Sequence, residues 1–422
     1  MRILFTTSNG TGLGHLTRSM AIARRLPDSV EPLFLTLSAA APVVERMGFA
    51  VEYVASYATP GSGNDYRWSR RLRGRLRAAI AEADPDVIVF DGTHPYEALL
   101  GALPAGGTAV WCRRPLWKRG SSRVPLGRAG AFDAVLEPGE LAAAEDAGPT
   151  VALRDRAHVV APIVLLDRSE LLPRAEAAAE LGLDPEATNV LVTLGQGEEV
   201  REATQRTLAH LTGNEGIRVA ALSSALAQAG SVPEGVIALQ STYPMSRYFA
   251  AFDGAVAAAG YNAYHELIEL GVPSLFVPMP RDTDDQPARA RYAEAAGLGL
   301  GLTGPEDPEL EAKLDRLLEP GEREAVAGRL AVRERAEGAA EAATWLVELA
   351  GSSRIPRESR QSSPRGGFRD FRRRWGSFIA SAPRTAVRLT KQQLTKPRAR
   401  ALVLAIGIDE ADVVSAVEQA LA

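Results

Sequence analysis

The chain has 422 residues, 46% apolar and 24% charged, with a formal charge of −4; single cores seldom grow that large, so two domains are expected. The charge is uneven, because residues 351–422 carry 14 Lys and Arg against 6 Asp and Glu while residues 1–350 carry 34 against 46. An acidic body with a basic tail excludes a body-wide nucleic-acid footprint, and a single cysteine, Cys112, excludes a disulfide framework and a cysteine-based zinc site.

The first apolar run, residues 2–8, reads as a β-strand and not as a signal peptide, since it is short and turns into a glycine loop. That loop places Gly10, Gly12 and Gly14 before His15 and a helix over 16–26. The spacing matches neither G-x-G-x-x-G nor a Walker A loop. It fits a backbone cradle for a phosphate or sugar at a helix N-terminus, or a tight turn with a capping histidine. Arg18, one turn along, is either a cation for an anionic ligand or a solvated side chain.

Strands are expected at 33–37, 51–55, 87–90, 109–112 and 134–136, alternating with helical stretches such as 70–82. Strand–helix alternation points to an α/β class with parallel sheets. After the 109–112 strand, Trp111, Arg113, Arg114, Trp117 and Lys118 form a basic and aromatic group. It suits an acceptor or a membrane surface, or an ordinary solvated loop. His94, His158, His210 and His265 read as structural or surface residues, with His94 the strongest exception because it follows Asp91 so closely.

The pattern restarts near residues 160–190: a helix over 171–181, a turn, then a strand over 190–194 that runs into Gly195, Gln196 and Gly197. Further strands are expected at 219–222, 236–239, 254–258 and 274–277. The expected division is 1–163, 164–350 and a tail, 351–422. Two facing Rossmann-like βαβ domains would bind ligands in the cleft at their strand ends. One strand ends at Gly260, and the helix after it carries Glu266 before Gly271-Val272-Pro273 opens the next strand. A carboxylate there is placed to accept ribose hydroxyls. A polar loop, Arg281 to Gln286, follows.

The tail begins as a Ser-, Pro- and Gly-rich linker over 351–367. Bases then interleave with aromatics through 368–400, which suits an anionic membrane surface at about 1 kcal/mol per base, an acidic partner, or disorder. The longest apolar run, 401–408, falls well short of the ~20 residues of a membrane helix. A cytoplasmic protein is expected, peripheral at the inner face of the membrane if the tail binds lipid.

The glycine loop ending in His15, the Gly260–Glu266–Gly271-Val272-Pro273 block and the Asp285-Gln286 pair together resemble family 28 of the GT-B glycosyltransferases. That family is typified by the N-acetylglucosamine transferase of lipid II synthesis, and the related UDP-glycosyltransferases share its logic. The resemblance spans residues 1–350 and is strongest over 186–300. It implies an acceptor-binding half followed by a half that binds a nucleotide-sugar donor, UDP-linked by analogy, with no metal and no cofactor. It implies Glu266 as the ribose acid, with Gly195, Gln196, Gly197, Gly260, Tyr261 and Asn262 at the donor phosphates. Asp285 and Gln286 would read the sugar hydroxyls, with Gly12, Gly14 and Arg18 in the acceptor and phosphate loop. His15 would be the base, oriented by Asp91. The family type has Gln-Gln at the Asp285-Gln286 position and Ser at the Gln196 position, and both departures concern the donor sugar. Asp282-Thr283-Asp284 looks superficially like a metal-binding D-x-D, but it lies where the donor-sugar loop belongs.

Such residues suit an inverting displacement: a histidine accepts the acceptor proton, and helix N-terminal amides steady the leaving diphosphate. The acceptor is a hydroxyl on a lipid-linked or small molecule, and no nucleic-acid partner is expected. The alternatives are a sugar-nucleotide epimerase of the same fold and a non-catalytic nucleotide-sugar-binding scaffold.

Overall fold

A computed structural model describes residues 1–8, 13–54, 65–195, 198–222, 233–239 and 242–352; the basic tail lies outside the described residues. Two parallel sheets organise the chain. The first joins β1 (Arg2–Thr7), β2 (Glu31–Thr36), β3 (Ala50–Tyr53), β4 (Val87–Asp91), β5 (Thr108–Cys112), β6 (Ala134–Glu137) and β7 (His158–Val159) in the order β3-β2-β1-β4-β5-β6-β7. The second joins β8 (Thr188–Thr193), β9 (Ile217–Leu222), β10 (Val236–Leu239), β11 (Gly254–Ala258), β12 (Ser274–Val277) and β13 (Leu300–Gly301) as β10-β9-β8-β11-β12-β13. Each sheet therefore reverses direction once, between β1 and β4 and between β8 and β11. In such sheets the crevice at the carboxyl ends of those two strands is the ligand site.

The strands are apolar runs because each sheet is covered on both faces. Alternate residues divide cleanly: Ile3, Phe5, Val87 and Val89 enter one core, and Leu4, Ile88 and Phe90 enter the other. In the second sheet Leu191, Ala255 and Phe276 face one side and Val190, Val192 and Val256 the other. The first sheet is flanked by α1 (Gly14–Ala23), α2 (Ala41–Arg46), α3 (Asp65–Ala83) and α4 (Glu97–Leu100). Around the second lie α5 (Arg174–Leu181), α6 (Glu198–Thr212), α7 (Tyr261–Glu269), α8 (Gln286–Ala295), α9 (Leu310–Leu318) and α10 (Pro320–Ala331).

The last helix, α11 (Gly338–Ser352), breaks the sequence-order expectation that residues up to 350 stay with the second sheet. Its Ala339, Ala342, Ala343 and Leu346 are buried in the first core beside α1. The approach depends on Gly338, where a Cβ would lie 1.8 Å from the Ala161 carbonyl oxygen. Trp345 stacks on His158 of β7, centroids 4.4 Å apart and planes within 4°. The chain thus crosses from the first domain to the second near residue 165 and returns after α10.

Candidate active site

β4 ends at Asp91, paired in register with Thr7 at the end of β1, so Asp91 stands at the crevice of the first sheet. α1 opens directly above it. His15 Nδ1 lies 2.7 Å from Asp91 Oδ1. Arg18, one turn on, donates from Nε to Asp91 Oδ2 at 2.8 Å and from Nη2 to Oδ1. Burial opposes charge on Asp91, but the Arg18 guanidinium and the His15 hydrogen bond outweigh it and hold the carboxyl below the usual carboxylate range. An ionised carboxylate only accepts hydrogen bonds, so the His15 proton sits on Nδ1 and the lone pair is on Nε2. Burial chiefly, with Arg18 and Arg114 adding and Asp91 opposing, keeps the imidazole below its ordinary value. A neutral ring that is 18% exposed is a ready base at neutral pH.

Arg18 is corrected by this geometry. It is 2% exposed, committed to Asp91, with its guanidinium 5.3 Å from the Tyr261 ring centroid. It orients Asp91 and is not open to an anionic ligand. Of the loop glycines, Gly14 opens α1, and Gly12 lies outside the described residues.

On the second sheet, Gly195 follows β8 at φ +87°, while Gln196 and Gly197 lie outside the described residues. Gly260 caps α7 in extended conformation. The first-turn amides of a helix have no intrahelical acceptor, so α7 offers its backbone toward the cleft. Its expected side-chain contacts are spent elsewhere. The Tyr261 hydroxyl donates to the Gly139 carbonyl at 2.8 Å and accepts from the Ile163 amide at 3.1 Å. Asn262 Nδ2 donates to the Gly14 carbonyl at 3.1 Å. Both side chains bind the two domains together. Glu266 is half-buried on the same helix. Burial pushes its carboxyl up to about 7, against a hydrogen bond from the Leu165 backbone. The Tyr243 hydroxyl, whose own titration Glu266 helps to raise, meets Thr17 Oγ1 of α1 at 2.9 Å.

Asp285 and Gln286 depart from the expected sugar-reading role. Asp285 caps α8, accepting from the Ala288 amide at 3.2 Å. Gln286, 3% exposed, accepts from the Met279 amide at 2.8 Å and donates to Asp284 Oδ2 at 3.2 Å. Both side chains therefore shape the 281–286 loop. Asp284, read from sequence only as part of a D-x-D look-alike, is its electrostatic centre. Its Oδ1 accepts from Arg114 Nη1 at 2.9 Å and from Arg289 Nη1 at 2.8 Å. Burial disfavours its charge, yet the two arginines hold it well below the usual carboxylate range. Arg289 also donates from Nε to Glu140 Oε2 at 2.8 Å. Glu140 Oε1 in turn lies 3.2 Å from His265 Nε2. Of the basic and aromatic group, Trp111, Arg113 and Trp117 are buried, so those three side chains present nothing to a surface. The signal for this network was charge placement: arginines directly after β5 and acids in the loop that follows β12, at the carboxyl ends of the two sheets.

Residues 186–343 match the glycosyltransferase family 28 C-terminal domain. The match covers the second domain of the chain. It is 29% identical over 321 residues to the UDP-N-acetylglucosamine–N-acetylmuramyl-(pentapeptide) pyrophosphoryl-undecaprenol N-acetylglucosamine transferase of Nocardioides sp. (strain ATCC BAA-499 / JS614), covering 71% of this chain and 84% of that one. Among solved structures, spinosyn forosaminyltransferase SpnP superposes with TM-score 0.57 at 17% identity, over 83% of this chain and 100% of that one. The UDP-GlcNAc 2-epimerase of Neisseria meningitidis gives 0.56 at 13% identity, over 83% and 99%. At these identities the structures establish the GT-B fold, which transferases and epimerases share. The sheet orders of this chain agree with it, each half a Rossmann-like unit.

Proposed function

We propose that the chain transfers a hexosyl group from a UDP-linked sugar to an acceptor hydroxyl by a metal-independent, inverting displacement. The observation that carries this reading is the His15–Asp91–Arg18 relay at the crevice of one sheet, opposite the α7 N-terminus and Glu266 at the crevice of the other. The acceptor O–H gives its proton to His15 Nε2 as its oxygen bonds to the anomeric carbon. The bond from that carbon to the diphosphate oxygen breaks, and the leaving charge is steadied by the first-turn amides and dipole of α7. Attack from the face opposite the leaving group inverts the anomeric carbon in one step. Glu266, once ionised, accepts the ribose hydroxyls. Metal independence is supported by Asp284, whose carboxylate is already matched by two guanidiniums. A cytoplasmic protein, peripheral at the inner membrane face and acting on a lipid-linked or small acceptor, fits the undecaprenol-linked acceptor in the relative's name. Among the described residues no helix is long and apolar enough to cross a membrane; residues 368–400 are the proposed surface contact.

The test is a mass-spectrometric screen of UDP- and dTDP-sugars with candidate acceptors, run alongside His15→Ala and Glu266→Ala. Consumption of one donor with release of its nucleoside diphosphate, lost in both variants, is expected. A sugar product epimerised without nucleotide release would replace the transferase reading, and wild-type behaviour of both variants would end the enzyme reading. Equal liposome binding with and without residues 351–422 would remove the membrane contact.

A further inference from the structure

The loop that follows β12 toward the donor sugar is held by the opposite domain. Lys118 donates its amide to the Thr283 carbonyl at 2.7 Å, and Asp285 donates its amide to the Leu116 carbonyl at 3.0 Å. Trp117 and Asp284 are thereby paired as a short antiparallel bridge. The first-domain side of this bridge is rigid. Leu116 is fully buried with φ +58°, a left-handed conformation unfavourable for a leucine that persists only where the surroundings impose it. Its amide donates to Asp146 Oδ2 at 3.0 Å, and its side chain packs with Ala142 of its own domain and Ala288 of α8. Beneath it, Gly148 admits the Trp117 carbonyl where a Cβ would stand 1.8 Å away.

Arg114 is the side chain that joins this scaffold to the sugar loop. It is 17% exposed and donates to buried Asp284, and it is close enough to His15 to act on its charge. Arg289, fully buried, holds the other side of the same Asp284 oxygen and is itself anchored to Glu140 of the first domain. We propose that Arg114 is a positioning residue for donor-sugar recognition: the acceptor domain, through Arg114 and Asp284, sets the shape of the 281–286 loop and with it the choice of sugar. The inference rests on the transferase reading and deepens it. Arg114 need not touch the sugar itself; it acts through Asp284 and, from Asp284, through Gln286, whose amide holds Met279 at the end of the strand.

On the proposed reading the α7 N-terminus and Glu266 would hold the nucleoside diphosphate and the 281–286 loop would shape the sugar pocket, which makes the inference separable. Arg114→Gln is expected to raise the KM for UDP-N-acetylglucosamine by about 10-fold or more, as losing a charged hydrogen bond to a buried carboxylate would. The Kd for UDP alone should stay within about 2-fold, since no shared contact is removed. Arg114→Lys, which keeps one donor and the charge, should recover part of the loss and serves if the glutamine variant melts early. Discrimination among UDP-hexoses should narrow in the same order. Unchanged KM and sugar preference in Arg114→Gln would overturn the inference, as would loss of UDP and UDP-sugar affinity by one common factor, the mark of a general interface defect. If the wild-type chain binds neither UDP nor any UDP-sugar, the transferase reading fails first and takes this one with it.

Discussion

At the scale of single residues, Glu266 is the titrating group with the clearest consequence. Its carboxyl is held near 7 by burial, while an unfolded glutamate titrates near 4.5. Between those values the native state binds more protons than the unfolded one, so stability falls as pH rises through the window and levels off above it. After allowance for its partial exposure the loss is on the order of 1–2 kcal/mol. Glu266→Gln should flatten that dependence in urea titrations from pH 5 to 8. Donor binding has the opposite slope, because ribose hydroxyls need the ionised acceptor. Calorimetry in two buffers at pH 6.5 should detect a proton released per UDP bound, and no release in Glu266→Gln. Asp91 has a different signature. Asp91→Ala strands a buried guanidinium, which typically costs about 3–5 kcal/mol, so a large fall in urea midpoint should accompany the loss of turnover. His15→Ala removes the base without that penalty and should lower kcat by about 10²–10⁴ with the urea midpoint almost unchanged.

Among the elements, the sequence reading and the structure part at instructive places. Long strands were legible because a doubly covered parallel strand must be a continuous apolar run. β7 and β13, two residues each, carry no such run and were not anticipated. The helices opening at Gly14 and Tyr261 were legible because each follows an apolar run that ends in glycine. Arg18 and Gln286 were misread because sequence gives a side chain's chemistry but not its partner: a buried arginine and a solvated one look alike until Asp91 is placed beneath it. The Arg114–Asp284–Arg289–Glu140 chain draws on three separate segments, and no local window contains it. α11 was placed in the second domain by order alone; its small residues, Gly338, Ala339, Ala342 and Ala343, are what let it lie close against α1. Gly338→Ala would drive a methyl into the Ala161 carbonyl. It should destabilise the fold by about 1–3 kcal/mol, read as a lower urea midpoint with unchanged UDP affinity.

Over the whole molecule, the two domains are joined by more than their crossings. Ion pairs of Glu140 with Arg289 and of Arg114 with Asp284, the Tyr261 strut, the short bridge and a small apolar cluster all span the interface. Separating the domains would break the Arg289–Glu140 and Arg114–Asp284 pairs and expose the apolar surface packed between them. A single calorimetric transition is therefore expected in place of two, with the measured enthalpy equal to the van't Hoff value. Two resolved transitions would show that the interface is weaker than its contacts suggest. The same coupling restricts cleft motion to displacements that keep Asp284 against Arg114.

The return of α11 has a geographical consequence. Because that helix ends at Ser352 on the first domain, the basic segment that follows it in sequence continues from the half that carries His15, and not from the half that carries Glu266. A tether raises the local concentration of whatever it captures to the millimolar range when its length suits the span. On the proposed reading an anionic acceptor drawn to those 14 bases would be held on the side of His15, and grafting the segment after α10 would reassign it to the side of Glu266.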